Sequence, residues 1–144
     1  MKEESVFDTG IMLLIGSDNV SARGVVSKID ASARIVDGRT LVPVRYISEA
    51  FGEKVLWDDA TKTVTVGDSI SIVLGKPSIM VNGKEQKIDV PAAIYDSRTF
   101  VPLRAIAEAL GKSVFWDDRG LIVITDTQVT ITADEAGEYI EKLK

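Results

Sequence analysis

The 144-residue sequence has no cysteine and no histidine. Without cysteine there are no disulfides, zinc–thiolate sites or thiol chemistry, although the redox compartment stays open. Without histidine there is no imidazole general base, no Ser-His or Cys-His pair, and almost no route to a copper, zinc or non-haem iron site. Catalysis would have to rest on carboxylates, Lys, Tyr or Ser. Long apolar runs are also missing. The longest is Ile11–Ile15, against the ~20 residues a membrane span needs. Lys2, Glu3, Glu4 and Asp8 precede it, the wrong flank for a signal peptide, so the sequence reads as a mature or trimmed segment with any export signal left off. Positive charge is in deficit, 17 basic against 22 acidic residues for a net −5, which argues against nucleic acid or another polyanion as partner. What remains is a globular composition, 45% apolar and 27% charged. The length suits one ordinary domain or two very small ones, and a single domain of this size buries roughly 68–70% of its chain's surface.

An internal repeat organises the chain. Residues 37–52, Asp-Gly-Arg-Thr-Leu-Val-Pro-Val-Arg-Tyr-Ile-Ser-Glu-Ala-Phe-Gly, return at 96–111 as Asp-Ser-Arg-Thr-Phe-Val-Pro-Leu-Arg-Ala-Ile-Ala-Glu-Ala-Leu-Gly. The offset is 59, and without gaps 15 of 30 positions are identical between 37–66 and 96–125. Lys28-Ile-Asp30 matches Lys87-Ile-Asp89, and Ile11–Gly16 matches Ile70–Gly75. The division is therefore a tail at 1–10, a first repeat unit at 11–69, a second at 70–128, and a closing strand with a helix or linker at 129–144. A third, partial copy opens at Val129-Thr-Ile131. The repeat units carry net charges of −1 and 0, and each tail carries −2. Such near-neutral units suit mixed solvated surfaces more than a steering field.

Within each unit the pattern is strands, helix, β-hairpin. Asn82-Gly83 between Ile79–Val81 and Lys84–Ile88 is a type I′ hairpin signal, because both central residues of that turn need φ > 0. The matching stretch Val20–Ile29 carries Arg23-Gly24 and is less regular. Pro43 and Pro102 fit the first position of a helix, and Gly52 and Gly111 fit the position just past its end. Between them Val44, Ile47 and Phe51, or Leu103, Ile106 and Leu110, form a buried stripe. Lys54–Trp57 and Thr63–Val66 predict a second hairpin, repeated as Ser113–Trp116 and Leu121–Thr125. Thr132-Ala-Asp-Glu135 has capping-box spacing, with Ala136, Ile140 and Leu143 as a thin apolar stripe that Gly137 weakens. This stretch also reads as a linker towards another domain.

Two constellations could carry chemistry. Trp57-Asp58-Asp59 recurs as Trp116-Asp117-Asp118. Its carboxylates could hold Ca²⁺, or its indoles could stack on sugar rings. The calcium pattern fails, since the loop lacks alternating Asp residues and a closing Glu. The structural reading is preferred: tryptophans in the core at a strand end, and aspartates supplying turn chemistry. Arg39, Arg45 and Glu49 recur as Arg98, Arg104 and Glu108. They could clamp a carboxylate or phosphate. The preferred reading is again structural, with Arg45/Glu49 and Arg104/Glu108 as i, i+4 pairs and each Arg pinning a neighbouring carbonyl or Asp. Glu49 and Glu108 are the only acids in a semi-apolar setting, and each has an Arg within a turn. No catalytic set, cofactor site, metal site or nucleotide-binding loop emerges.

The string Arg-Thr-Leu-Val-Pro-Val-Arg…Glu-Ala-Phe-Gly…Val-Leu-Trp-Asp resembles the domain family named after the N-terminal "stalk" domain of copper amine oxidases. The resemblance covers residues 11–128 in two tandem copies. It implies a twisted antiparallel sheet wrapped on a helix, secretion by Gram-positive bacteria, and attachment to hydrolases or cell-wall-associated domains. It does not imply amine oxidation, because the oxidase copper site uses three histidines of a separate catalytic domain and this chain has none. Ser97, in place of the usual Gly, is a departure, as are Ala31-Ser32 where the second copy has Val90-Pro91.

The sequence thus predicts an α+β protein of two tandem repeats, each a twisted antiparallel sheet packed on one short α-helix. The expected function is a non-catalytic extracellular module that spaces or scaffolds at a bacterial surface. Its expected partners are other domains of the same or a neighbouring surface protein. The alternative is a carbohydrate- or cell-wall-binding module using exposed Trp57 and Trp116. The strand at Ile70 is expected to complete the first unit's sheet while opening the second, and Val129–Ile131 to close the second in the same way.

Overall fold

A computed structural model describes residues 5–144; residues 1–4 of the tail, with Lys2, Glu3 and Glu4, lie outside them. The fold is α+β, with 14 strands in three antiparallel sheets and four short helices among the described residues. The chain forms two compact units. One comprises the chain up to Arg34 together with Gly111–Lys144, and the other comprises Ile35–Leu110.

In the second of these, β4 (Arg34–Val36), β5 (Arg39–Pro43), β11 (Ala93–Tyr95) and β12 (Arg98–Pro102) form a sheet in the order β11-β12-β5-β4. Its central ladder joins the two copies of the Arg-Thr-x-Val-Pro motif, with Val42 opposite Val101. Each central strand leads into a helix, α2 (Val44–Ala50) or α3 (Leu103–Ala109). Val44 and Ile47, like Leu103 and Ile106, are buried, whereas Phe51 and Leu110 are half-buried. Pro43 and Pro102 fall one position earlier than expected. They end the strands and cap the helices with extended backbone (ψ 117 and 131), so helical geometry starts at Val44 and Leu103. Gly52 stands past the end of α2 at φ +82. There its N–H donates to the Glu49 carbonyl while the Glu53 N–H donates to that of Ser48, the two bonds of a Schellman motif.

The unit's other sheet contains β6 (Val55–Asp58), β7 (Thr63–Val66), β8 (Ile70–Val73), β9 (Ser78–Val81) and β10 (Lys84–Lys87), in the order β10-β9-β8-β7-β6. Val64, Val66, Ile70, Ile72, Ile79 and Val81 are buried on one face. Thr65, Ser71 and Met80 alternate with them on the more open face, the period-2 pattern of a half-solvated sheet.

The first unit has the same five-strand arrangement from different stretches of chain. β1 (Ile11–Leu14), β2 (Asn19–Ala22) and β3 (Val25–Lys28) join β13 (Ser113–Asp117) and β14 (Leu121–Thr125) in the order β13-β14-β1-β2-β3. The less regular Val20–Ile29 stretch does form the hairpin, because Arg23 and Gly24 take φ +48 and +84, matching Asn82 and Gly83 at +53 and +78. The central strands are buried on both faces. α4 (Ala133–Leu143) covers one of them. Met12, Leu14, Leu121 and Val123 cluster with Ile131, Ala136, Tyr139, Ile140 and Leu143, and Phe7 of the one-turn α1 (Val6–Thr9) stacks on Tyr139.

Each five-stranded sheet therefore draws strands from both sequence repeats. The repeat boundary at 69/70 lies inside one sheet, where β7 pairs with β8 as expected. The expected closing strand at Val129–Ile131 does not form. The place beside β14 is taken by β1, and Ile131 is buried in the cluster beneath α4 instead. The C-terminal stretch is a packed helix rather than a linker, and its capping box is present, with Thr132 and Glu135 bonded reciprocally. A Cβ at Gly137 would meet Arg119 Nη1 at 3.3 Å, a tight approach to the end of a flexible side chain.

Candidate functional site

The two Trp-Asp-Asp hairpins sit in different units, one on β6–β7 and one on β13–β14. Trp57 lies in a cross-strand row with Val64, Ile72 and Ile79. It faces the buried side, but β6 is the sheet edge, so the ring has a partner strand on one flank only and remains 39% exposed. Trp116 occupies the same row position beside Ile122, Leu13 and Val20 and is half-buried. The expectation that both tryptophans are core residues is thus corrected, because an edge strand buries its inward side chains only in part. Leu56, on the opposite face of β6, is 53% exposed.

The aspartates are occupied by the turns. Asp58 Oδ1 accepts from the Ala60 and Thr61 N–H groups at 2.9 and 3.3 Å, an Asx-type cap on the loop. Asp59 pairs with the Lys62 ammonium at 2.9 Å, which holds its carboxyl below the usual range. In the second copy the loop is one residue shorter. Trp57 pairs with Val64, but Trp116 pairs with Ile122, so the ungapped match of Val64 to Val123 is not a structural equivalence. Asp117, only 16% exposed, accepts the Arg119 N–H at 2.8 Å and receives its guanidinium on both oxygens at 2.9 and 3.0 Å. Those bonds lower its pKa to about 2. Asp118 is exposed beside it. Among the described residues, no three carboxylates gather as metal ligands would.

The arginine constellation is also tied to the fold. Lys54 O is taken by the Gly67 N–H, so the next carbonyl, Val55 O, points away from β7. Arg45 Nη1 donates to it at 3.5 Å and to Glu49 at 3.4 Å. Arg39 reaches Asp89 through Nε and Nη2 at 3.1 and 2.8 Å. Arg104 and Glu108 are both exposed and, among the described residues, make no ion pair, against expectation. In water such a pair gains at most a few tenths of a kcal/mol. Arg98 donates to the Ser97 carbonyl at 3.2 Å.

Sequence reasoning missed Arg119, Ser17 and Asn19. Arg119 Nη2 also donates to the Ala133 carbonyl at 2.9 Å. Ser17 Oγ donates to the Leu143 carbonyl, and Asn19 Nδ2 to those of Leu143 and Lys144 at 3.4 and 3.0 Å. The available signal was that Arg119 replaces Ala60 and Asn19 replaces Ser78 between the repeats.

Several motif side chains, Asp58, Asp117 and Arg45 among them, thus bond turn or edge-strand backbone. The family model of the copper amine oxidase N-terminal domain matches residues 6–66 and 21–125, and the chain belongs to that family. It is a family of non-catalytic domains. No curated protein matches the chain. No helix among the described residues is long and apolar enough to cross a membrane.

Proposed function

We propose that the chain is a non-catalytic extracellular module, a stalk-like spacer or scaffold at the surface of a Gram-positive bacterium, in contact with other domains of its own or a neighbouring surface protein. One observation carries this reading: three polar residues of the repeated motifs, Asp58, Asp117 and Arg45, bond turn or strand backbone within their own unit. Family membership supports it. A second reading, binding of cell-wall glycan, is kept because Trp57 leaves 39% of its surface in water and an exposed indole is a stacking platform.

Cosedimentation with purified cell-wall sacculi separates the two. The scaffold reading expects the protein in the supernatant and a Trp57→Ala variant that melts lower, by about 2 kcal/mol, below the ~3–5 kcal/mol of a fully buried aromatic. Pelleting that Trp57→Ala abolishes, with an unchanged melting temperature, would replace it with the glycan reading.

A further inference from the structure

The ladders β7·β8 and β14·β1 are equivalent. Val66 faces Ile70 and Val64 faces Ile72, as Ile124 faces Ile11 and Ile122 faces Leu13. They differ in connection. Residues 67–69 turn β7 directly into β8, whereas β14 runs on towards α4 and β1 is preceded by α1. The β14·β1 seam is therefore closed without a turn.

α4 lies across that seam. Its Ala136, Tyr139, Ile140 and Leu143 cluster with Met12 and Leu14 of β1 and with Leu121 and Val123 of β14. Ser17 and Asn19, at the β1–β2 turn, hold its C-terminal carbonyls, and Arg119, at the β13–β14 turn, holds the Ala133 carbonyl. The positions equivalent to Met12, Leu14, Leu121 and Val123 in the turn-linked sheet are Ser71, Val73, Thr63 and Thr65. At three of these four positions an apolar side chain replaces a hydroxyl where the seam is not covalently joined, and at the fourth Leu14 replaces Val73. The helix supplies by burial what the turn supplies by connection.

We infer that α4 is a latch on this seam and that residues 5–34 are an exchangeable element. When α4 lifts, β14 of one copy accepts β1–β3 of a second copy. Everything β14 recognises is then present in the second copy with the same register, the same side chains beneath α4 and the same Ser17 and Asn19 donors, which is the condition for exchange between identical chains. The partner is thus a second copy of this chain, held by the β14·β1 ladder and not by a new surface. The inference stands or falls independently of glycan binding.

The chain's lack of cysteine makes the test direct. Leu14 and Leu121 are opposite one another across the seam. Two preparations, one carrying Leu14→Cys and one Leu121→Cys, each with Ile140→Ala to weaken the latch, are mixed reduced, warmed and oxidised. A mixed disulfide dimer is expected, with less of it when Ile140 is intact. A single chain carrying both cysteines is expected to close internally and run as a monomer. Absence of the mixed dimer while the double variant closes internally overturns the inference. So do like-with-like dimers in equal amount, the mark of random aggregation. If circular dichroism shows that the cysteine variants do not fold, light scattering of Ile140→Ala alone decides. A concentration-dependent shift from 15.6 kDa to twice that mass supports exchange, and 15.6 kDa throughout overturns it.

Discussion

Leu143→Ala tests whether the C-terminal helix belongs to the fold. Leu143 stands in the last turn of α4, yet its side chain is fully buried among Met12, Leu14, Leu121 and Val123. Truncating a buried Leu costs about 2–5 kcal/mol, from lost transfer free energy plus the cavity left behind. A helix terminus can settle into part of that space, so the low end applies, about 2–3 kcal/mol. For a protein of this size each kcal/mol moves the midpoint by roughly 2–4 °C, so a fall of about 5–10 °C is expected in thermal unfolding followed by far-ultraviolet circular dichroism. Glu141→Ala, one turn face away and exposed, removes only an i, i+3 contact with Lys144 and should leave the midpoint within about a degree, as surface pairs do. If Leu143→Ala melts with wild type, the helix does not hold the sheet and the packing argument for α4 fails.

Three further outcomes are expected. Asp117 titrates at about 2 when folded against 3.8 for the free group, so its bonds to Arg119 contribute stability that is complete above about pH 4 and lost as pH falls towards 2. Asp117→Asn should flatten that limb of the melting-temperature profile, and an unchanged limb would show that the Arg119 contact contributes nothing. Calcium or EDTA should leave the melting temperature unmoved, because the loop pattern lacks a calcium site and a native-state ligand would raise it by mass action; a reproducible rise of several degrees with Ca²⁺ would make ligands of Asp58, Asp59, Asp117 and Asp118. A fragment ending at Val66 lacks β8–β10 and β13–β14 and should aggregate or stay unfolded; a cooperative melt from it would contradict the interleaved sheets.

Local structure was legible because local chemistry fixes it. Asn82-Gly83 demands a tight turn, Gly52 ends α2, and Thr132 with Glu135 starts α4. Partner choice was not legible. The strand patterns at Ile11 and Ile70 are alike, and nothing in either says that the first pairs with β14 while the second pairs with β7. The burial of Trp57 was misjudged for a related reason, since an inward-facing residue looks the same in sequence on an edge strand and a central one. The shortened second loop was hidden by the chance identity of Val64 with Val123, which an ungapped comparison scores as a match. Of the candidate site residues, Asp58 and Arg45 could be assigned turn and edge roles from their types. Arg119 could not, because its partners, Asp117 and the Ala133 carbonyl, include one that only the docked helix brings near.

Several differences between the two five-stranded sheets share one physical cause. On the face that α4 covers, Leu121, Val123 and Met12 stand where the open sheet has Thr63, Thr65 and Ser71. Size runs the other way at one position: Ser21, fully buried in the covered sheet, corresponds to Met80, 39% exposed in the open one. A long side chain that lies on an open surface would have to be accommodated under a helix at close-packed density. The loops follow suit, with Arg119 for Ala60 and Asn19 for Ser78 supplying donors to the helix carbonyls. In a duplicated fold, then, paired positions at which apolar replaces hydroxyl, and small replaces large, mark the face that another element covers. By that criterion the open face of the β6–β10 sheet, with Thr63, Thr65 and Ser71, lacks the apolar set that α4 covers in the other sheet, although Leu56 and Met80 stand exposed on it.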